Sequence, residues 1–225
     1  MCAEARTRPF AFVLTTGDNF YAPDGTATEA NFWRPERCLR RLGIPYRAAW
    51  GNHDLAGTAT AEVLGARRRW YAFGAGPARV VVLDANRPSH PGQRRFLARV
   101  LATAPEPVRI VAFHQPSRTS GIHPPGREQR RRWEPLFRRR GVALVLQGHN
   151  HLYERLVVDG VTYVTTGGGG ARLYPCIRPA AGLRACRLAH HFLDITADPG
   201  GLDLRAVTPR GTVLERVRIP ARSSG

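Results

Sequence analysis

The chain has 225 residues, of which 43% are hydrophobic, so it is long enough to bury a full core as a single domain. No apolar run approaches the about 20 residues that a membrane-spanning helix needs, which argues against a membrane protein and predicts no membrane partner. The first six residues lack the charged-then-apolar pattern of a secretory signal. Location is therefore left open.

The net charge of +17, with a pI of about 11.4, comes entirely from arginine, because the sequence contains no lysine. Two explanations stay open: an anion-binding surface for phosphates or nucleic acid, and a general preference of the genome for arginine over lysine. The arginines are spread through most segments and accompany no recognisable nucleic-acid motif, so no specific nucleic-acid partner is predicted. A basic field would still raise the local concentration of phosphorylated substrates.

Short apolar runs and one helical pattern fill the first third of the chain. Residues 10–14 form an apolar run bounded by turn residues, which predicts a buried strand. Residues 27–42 are predicted to form a helix, and residues 44–50 the next strand. Residues 70–73 and 80–83 are predicted to pair as strands around the turn between them.

The middle of the chain alternates between helices and strands. Helices are predicted over residues 91–102 and 128–139, because apolar side chains recur there at helical spacing. The second helix is expected to break near Pro135, since proline removes a backbone donor. Strands are predicted over residues 108–113 and 142–146.

Strands dominate the last third of the chain. Residues 156–158 and 161–165 are predicted to form a hairpin about the Asp-Gly pair between them. Three alternating runs predict a C-terminal antiparallel meander, and they lie at residues 191–197, 202–208 and 212–219. The predicted fold class is therefore α/β, with a two-sheet β-sandwich core flanked by helices.

Polar clusters follow four of the predicted strands, at residues 17–21, 51–54, 114–116 and 148–151. In open α/β sheets ligands gather at the carboxyl ends of strands, so we expect the clusters to form one site. Two cations about 3.5–4 Å apart could activate water there against a phosphoester. Imidazole donors suit zinc and iron. The natural bridging carboxylate and the other donors are Asp18, Asn52, His114, His149 and His151.

These clusters resemble the motifs of the calcineurin-like metallophosphoesterases, and most of all those of the purple acid phosphatases. In Gly17-Asp18-Asn19-Phe20-Tyr21, the tyrosine three residues after the aspartate is typical of that subgroup. The similarity extends over roughly residues 10–220 and implies the metallophosphoesterase fold. The other three clusters resemble the third, fourth and fifth motifs of the family.

The resemblance also implies a metal-binding role for each of these positions. Asp18 would bridge two metal ions, and Tyr21 and His151 would bind the first of them, a ferric ion in this family. The second ion is zinc, manganese or iron in relatives. Its ligands would be Asn52, His114 and His149.

Two further histidines are implied to face the substrate. His53 would contact the phosphate rather than a metal ion, and it could protonate the leaving oxygen. His123, in a loop rich in Ser, Thr, Gly and Pro, resembles a substrate-facing position in some members. The alternative interpretation is that His123 is a solvent-exposed histidine without a role in the site. The glycine run at residues 167–170 would either let the backbone approach the metal site or form only a turn.

One motif of the family is missing. The family places a further metal-binding aspartate on a strand upstream of the second motif, but only 17 residues precede Asp18 here. Glu4 is the only acid among them, and it is poorly placed. The sequence therefore predicts a truncated chain, one domain over residues 1–225 without its first strand, whose activity is in doubt. Secretion stays open if the N-terminus is truncated.

The function that the sequence predicts is hydrolysis of phosphomonoesters by two metal ions. The expected partner is a phosphorylated small molecule or a phosphoprotein. One alternative is a phosphodiesterase or nuclease of the same superfamily. The other is an inactive remnant that acts only as a basic binding protein.

The four cysteines are relevant to whether the protein resides in an oxidising compartment. Cys176 and Cys186 bracket a short stretch that a local disulfide would close, which would imply an oxidising compartment, but two reduced thiols fit equally well. Cys38 lies in a predicted helix and is expected to pack in the core. Cys2, at the terminus, carries no prediction.

Overall fold

The structure, a computed structural model, describes residues 1–223 and is built from short helices and twelve strands. The α-helices are α1 (Cys2–Thr7), α2 (Arg37–Arg41), α3 (Ala59–Glu62), α4 (Pro91–Thr103) and α5 (Arg127–Arg139). The first six strands are β1 (Val13–Thr15), β2 (Tyr46–Ala48), β3 (Tyr71–Ala75), β4 (Ala78–Val82), β5 (Val108–Ala112) and β6 (Val142–Gln147). The others are β7 (Tyr153–Val158), β8 (Val161–Thr166), β9 (Leu183–Arg187), β10 (Phe192–Asp198), β11 (Gly201–Val207) and β12 (Val213–Pro220).

A mixed seven-stranded sheet with the order β3-β4-β5-β6-β8-β7-β9 organises the fold. Strands β4, β5, β6 and β8 run parallel, whereas β3, β7 and β9 pair antiparallel with their neighbours. Every residue of β6 is buried. Its apolar run is typical of a parallel strand that is covered on both faces.

The two faces of this sheet pack against different partners. One face packs against the antiparallel sheet β10-β11-β12 through Leu202, Leu204 and Ile219. The other face packs against helices α4 and α5, where Leu97 and Trp133 are fully buried. The predicted α/β fold with two sheets, outer helices and a C-terminal meander is therefore confirmed.

Strands β1 and β2 form a separate two-stranded parallel sheet, in which Val13 lies opposite Tyr46. Phe12 and Leu14 pack against the core between the two larger sheets. Glu4, on helix α1, forms an ion pair with Arg205 of β11 at 3.0 Å. This carboxylate is thus engaged in a structural contact.

The helix predicted over residues 27–42 is interrupted. A π-helical turn over Glu29–Trp33 precedes α2, and Pro35 lies between the two. Proline has no backbone N–H, so Pro35 removes one hydrogen bond of the helical ladder at this point. The prediction of one continuous helix was wrong for this reason.

The break predicted near Pro135 is also wrong, because α5 continues through this proline. The lost backbone donor leaves the carbonyl of Arg131 without its usual partner, but that carbonyl belongs to an exposed turn, where water can bind it. Trp133 and Phe137 are fully buried against the sheet. Their burial outweighs the cost of the proline.

Both pairs of cysteines form disulfides. Cys176 is bonded to Cys186, with 6.7 Å between their Cα atoms, so the disulfide alternative holds. Cys2 is bonded to Cys38, with 6.0 Å between their Cα atoms, and joins α1 to α2. Cys38 also packs against Ala5, Leu39 and Ile44, as predicted, but its disulfide was not predicted, because its partner lies 36 residues away and periodicity cannot reveal it.

Among the helices of residues 1–223, none is long and apolar enough to cross a membrane.

Candidate metal centre

Four strands deliver the polar clusters to one place. Asp18 follows β1, Asn52 follows β2, His114 follows β5, and His149 follows β6. All four lie beyond the carboxyl ends of parallel strands. This topology brings the four clusters together at one edge of the fold, as expected.

Asp18, His114 and His149 form the tightest cluster of donors. The Nε2 atom of His114 lies 3.0 Å from Oδ2 of Asp18. The Nδ1 atom of His149 lies 3.2 Å from Nε2 of His114. One donor atom from each residue lies within 4.8 Å of the other two. A single cation can reach all three.

The outward nitrogens of two histidines are fixed by backbone carbonyls. Nδ1 of His114 lies 2.7 Å from the carbonyl oxygen of Thr16. Nδ1 of His151 lies 2.8 Å from the carbonyl oxygen of Arg172. Because a carbonyl only accepts, each Nδ1 donates to its carbonyl, and Nε2 of each ring faces the centre. Such outer contacts set the tautomer and orientation of metal-binding histidines.

Tyr21 and His151 form a second group of donors beside the first. The hydroxyl of Tyr21 lies 2.8 Å from Nε2 of His151 and 3.4 Å from Oδ2 of Asp18. Asp18 therefore contacts both groups. This is the position that a bridging carboxylate requires.

The backbone is strained at two of these donors. Asp18 has a φ of 55° and His149 a φ of 66°, in the left-handed region that non-glycine residues rarely adopt. Such strain costs on the order of 1–3 kcal/mol per residue and is concentrated at functional sites. Gly51 allows the close packing of this region, because a Cβ atom there would lie 2.1 Å from Oδ1 of Asp18.

Asp54, which the sequence reasoning did not single out, joins the loops of Asp18 and Asn52. Its buried carboxylate accepts from the backbone N–H groups of Asp18, Asn19 and Gly51 at 3.0, 2.8 and 2.7 Å. It also accepts from the Asn19 side chain at 2.9 Å. The only signal for this role in the sequence is its place at the end of the cluster at residues 51–54.

Replacing Asp54 with asparagine is expected to destabilise the chain by about 3 kcal/mol, because an amide NH₂ group would face backbone donors that lose their acceptor. Urea denaturation would measure the change. The matched control is Asp24→Asn, at an exposed carboxylate bonded only to Thr26, which should leave stability nearly unchanged. Equal losses in the two variants would contradict the role of Asp54.

Burial and neighbouring charges shift the pKa values of the donors. Burial, followed by the charges of His114 and His123, lowers the pKa of His149 to about 4. Burial also lowers the pKa of His151. For Asp18, burial opposes ionisation, but hydrogen bonding and charge from His114 outweigh it and the pKa is lowered. Burial and then the Asp18 carboxylate raise the pKa of the Tyr21 phenol.

The lowered pKa of His149 gives a pH dependence to the metal-free protein. An unfolded histidine binds its proton near pH 6.5, whereas folded His149 does so only near pH 4. Between these values the unfolded state binds more protons, so the free energy of unfolding should fall as the pH drops from about 6.5 to about 4. Urea denaturation of metal-free protein across this range should show a weaker decline for His149→Gln than for wild type. Parallel declines would overturn the prediction.

His53 lies at the exposed side of the centre. Its ring centroid is 4.7 Å from that of Tyr21, and its backbone N–H donates to Oδ1 of Asp18 at 3.0 Å. Asn52 is also exposed, and its side chain makes no hydrogen bond with any part of the chain that the structure describes. Its predicted role as a metal ligand stays a prediction.

His123 lies against the opposite side of the donor cluster. Its ring centroid is 4.3 Å from that of His149 and 5.5 Å from that of Tyr174. The ring is half-buried, so the alternative of a fully exposed loop histidine does not describe it.

The glycine run divides into two parts. A Cβ atom on Gly167 would lie 2.2 Å from the carbonyl oxygen of Asn150, and one on Gly168 would lie 2.3 Å from Nδ1 of His191. Gly169 and Gly170 are exposed and would tolerate a side chain. Gly167 therefore allows the backbone to approach the loop that carries His149 and His151, whereas Gly168 packs against His191.

The donor set fits transition-metal cations. Imidazole nitrogens and one carboxylate suit zinc, iron or manganese, whereas magnesium or calcium would require more oxygen ligands. The nearest donors lie 3.0–3.2 Å apart around His114. The residues present can thus hold metal ions.

A large mixed sheet, a second antiparallel sheet and candidate metal ligands at the strand ends define a metallophosphoesterase-like fold. The family model for calcineurin-like phosphoesterases matches residues 3–153, which is more than half of the chain. The chain belongs to the calcineurin-like phosphoesterase family. No curated protein sequence matches it significantly.

The solved structures that are similar to it include the following two. GAP50, the anchor in the inner membrane complex of Plasmodium, has a TM-score of 0.81 and 18% identity, over 99% of this chain and 82% of that protein. Purple acid phosphatase PPD1 from yellow lupin (Lupinus luteus) seeds has a TM-score of 0.78 and 20% identity, over 97% of this chain. The match covers 48% of the lupin protein, so the chain spans about half of its length. At such identities the likeness shows the fold.

Proposed function

We propose that the protein is a metal-dependent hydrolase of phosphomonoesters that acts as acid phosphatases do. The observation that carries the proposal is the convergence of Asp18, His114 and His149 within 4.8 Å. Cations held there would neutralise phosphate charge, lower the pKa of the attacking water and steady the leaving oxygen.

Residues of the chain would bridge the cations and supply the proton for the leaving group. Asp18 lies between the pair of Tyr21 and His151 and the pair of His114 and His149, so it would bridge two cations. Water attacks phosphorus as the bond to the departing alcohol breaks. His53, exposed at the same centre, gives its proton to the departing oxygen.

The chemistry of Tyr21 supports a ferric ion in the first position. The raised pKa of its phenol keeps the hydroxyl neutral in ordinary conditions. Only a strong Lewis acid would ionise it. The nitrogen donors His114 and His149 fit zinc, manganese or iron in the second position.

The lowered pKa values of His149 and His151 support activity in mildly acidic solution. A histidine binds a metal ion only as the free base, so proton competition normally weakens metal binding at low pH. With a pKa of about 4, His149 stays neutral well below pH 6. The matching substrates are phosphorylated small molecules or phosphoproteins, whose anionic groups the positive chain attracts.

A binding function without catalysis is the second candidate, and one comparison favours it. GAP50, whose fold is similar, is the anchor in the inner membrane complex of Plasmodium. The net charge of +17 would suit a non-catalytic partner that is strongly acidic. A phosphodiesterase or nuclease of the same family is an alternative within the catalytic class.

The decisive experiment combines metal analysis with two model substrates. The purified chain is loaded with iron and zinc, its metal content and visible spectrum are recorded, and hydrolysis of 4-nitrophenyl phosphate is compared with that of bis(4-nitrophenyl) phosphate. About two metal ions, tyrosinate-to-iron absorption and faster cleavage of the monoester support the proposal. Faster cleavage of the diester selects the phosphodiesterase. Metal-free, inactive protein selects the binding function.

A further inference from the structure

A segment over residues 172–178, named the strap here, lies against two loops of the metal centre. The disulfide between Cys176 and Cys186 closes it onto the sheet. Cys186 belongs to β9 and lies opposite Glu154 of β7, so the strap is attached to the edge of the seven-stranded sheet. The strap is thus attached covalently to the sheet through Cys176.

One end of the strap holds His151. The carbonyl oxygen of Arg172 accepts from Nδ1 of His151 at 2.8 Å, and the N–H of Tyr174 donates to the carbonyl oxygen of His151 at 2.9 Å. The ring of Tyr174 stacks on the ring of His151, with centroids 4.4 Å apart and planes 12° apart. Backbone, ring nitrogen and ring face of this donor are all restrained by the strap.

The other end of the strap holds the loop that precedes His123. The N–H groups of Ile177 and Arg178 both donate to the carbonyl oxygen of Ser120, at 2.8 and 2.9 Å. The guanidinium of Arg178 donates to the carbonyl oxygens of Gly121 and Ile122. Arg178 therefore binds three consecutive carbonyls immediately before His123.

The rest of this loop is held from the opposite side. Asn150 accepts from the N–H of His123 at 2.9 Å and donates to its carbonyl oxygen at 3.0 Å. Glu154, fully buried, accepts from the N–H and hydroxyl of Ser120 at 2.8 and 2.6 Å. Asn150 and Glu154 leave the carbonyls of Gly121 and Ile122 to Arg178.

Arginine is suited to this task, because its long side chain brings one nitrogen, Nη1, to both carbonyl oxygens and its guanidinium keeps its charge at every working pH. Lysine carries a compact ammonium group on a flexible stem and would match two adjacent carbonyls less well. Glutamine could reach one of them at most.

We propose that Arg178 is a positioning residue that fixes His123 over the metal centre, and that the strap couples the placement of His123 to that of His151. The proposal rests on the proposed phosphatase function for its kinetic part. Its structural part concerns the order of the loop before His123 and can be measured without turnover.

The experiment compares full-length Arg178→Gln and Arg178→Lys with wild type and with Arg184→Gln. Arg184 is an exposed arginine of the same disulfide-closed loop, and its side chain makes no ion pair or hydrogen bond among residues 1–223. Hydrogen–deuterium exchange of residues 119–123 is measured in the metal-free protein. Metal content and the kinetics of 4-nitrophenyl phosphate hydrolysis are measured in the loaded protein.

Arg178→Gln should speed amide exchange at residues 119–123 and raise KM about tenfold, the scale of losses seen when a contact behind an active-site residue is removed. Metal content should stay at the wild-type level, Arg178→Lys should recover part of the loss, and Arg184→Gln should match wild type. Unchanged exchange in Arg178→Gln, or equal effects in Arg184→Gln, would overturn the proposal. If the wild type is inactive and Arg178→Gln still shows faster exchange, the phosphatase function is refuted and the positioning role of Arg178 is supported.

Discussion

His149→Ala is expected to abolish binding of the second metal ion and to reduce turnover of 4-nitrophenyl phosphate by about 10³-fold or more. The Nδ1 atom of His149 is one of three donors in the tightest cluster, so its loss leaves Asp18 and His114 as the close ligands. A metal ion at such a site contributes several kcal/mol of transition-state stabilisation, and each 1.36 kcal/mol corresponds to about tenfold in rate. Metal analysis and steady-state kinetics on the same preparation would check both parts.

The control for this variant is His190→Ala. His190 is exposed, and its Nδ1 atom lies 3.3 Å from the carbonyl oxygen of Gly168 rather than among the donors. It should keep both metal content and rate. If His149→Ala retained two metal ions and near-normal turnover, the assignment of the second-metal site would be wrong.

His53→Ala is expected to keep both metal ions and to lose about 10²–10⁴-fold in rate, the usual contribution of a general acid. The side chain of His53 is exposed beside Tyr21, and only its backbone N–H bonds to Asp18. Alanine preserves that N–H, so the donor cluster should stay intact. The loss should be smaller for a substrate whose leaving group is already acidic, because such an alcohol needs less help from a proton.

Two substrates therefore test the role of His53 directly. 4-Nitrophenyl phosphate has an acidic leaving group, and an alkyl phosphate has a basic one. The variant should lose more rate with the alkyl ester. Loss of metal from His53→Ala, or equal losses with the two esters, would contradict the role of proton donor.

Much of the centre was predictable because local sequence determines it. Each cluster directly follows a short apolar run, and parallel strands bring their carboxyl ends to one edge. The order of Asp18, His114 and His149 along the chain therefore predicted their meeting in space. The three C-terminal strands were equally accessible, since alternating runs separated by turns usually pair with their neighbours.

The features that escaped prediction depend on distant contacts. Asp54 looks like an ordinary turn residue until its four donors are assembled around it. Arg178 is one of 34 basic residues, and only the fold shows which carbonyls it meets. The helix through Pro135 was mispredicted because it also depends on a distant contact. Local chemistry disfavours proline in a helix, but the burial of Trp133 against the sheet outweighs that cost.

The donors of the metal centre come from two different sheets, with Asp18 and Tyr21 after a strand of the small parallel sheet and His114 and His149 after strands of the large one. A cation bound between them would act as a crosslink, and its contribution to stability would depend on the concentration of free cation. Because only the folded chain offers the assembled donors, bound metal at 100 times its Kd would add about 2.7 kcal/mol to the free energy of unfolding. Chelators would remove this contribution, so the thermal stability of the protein would report on the metal supply of its surroundings.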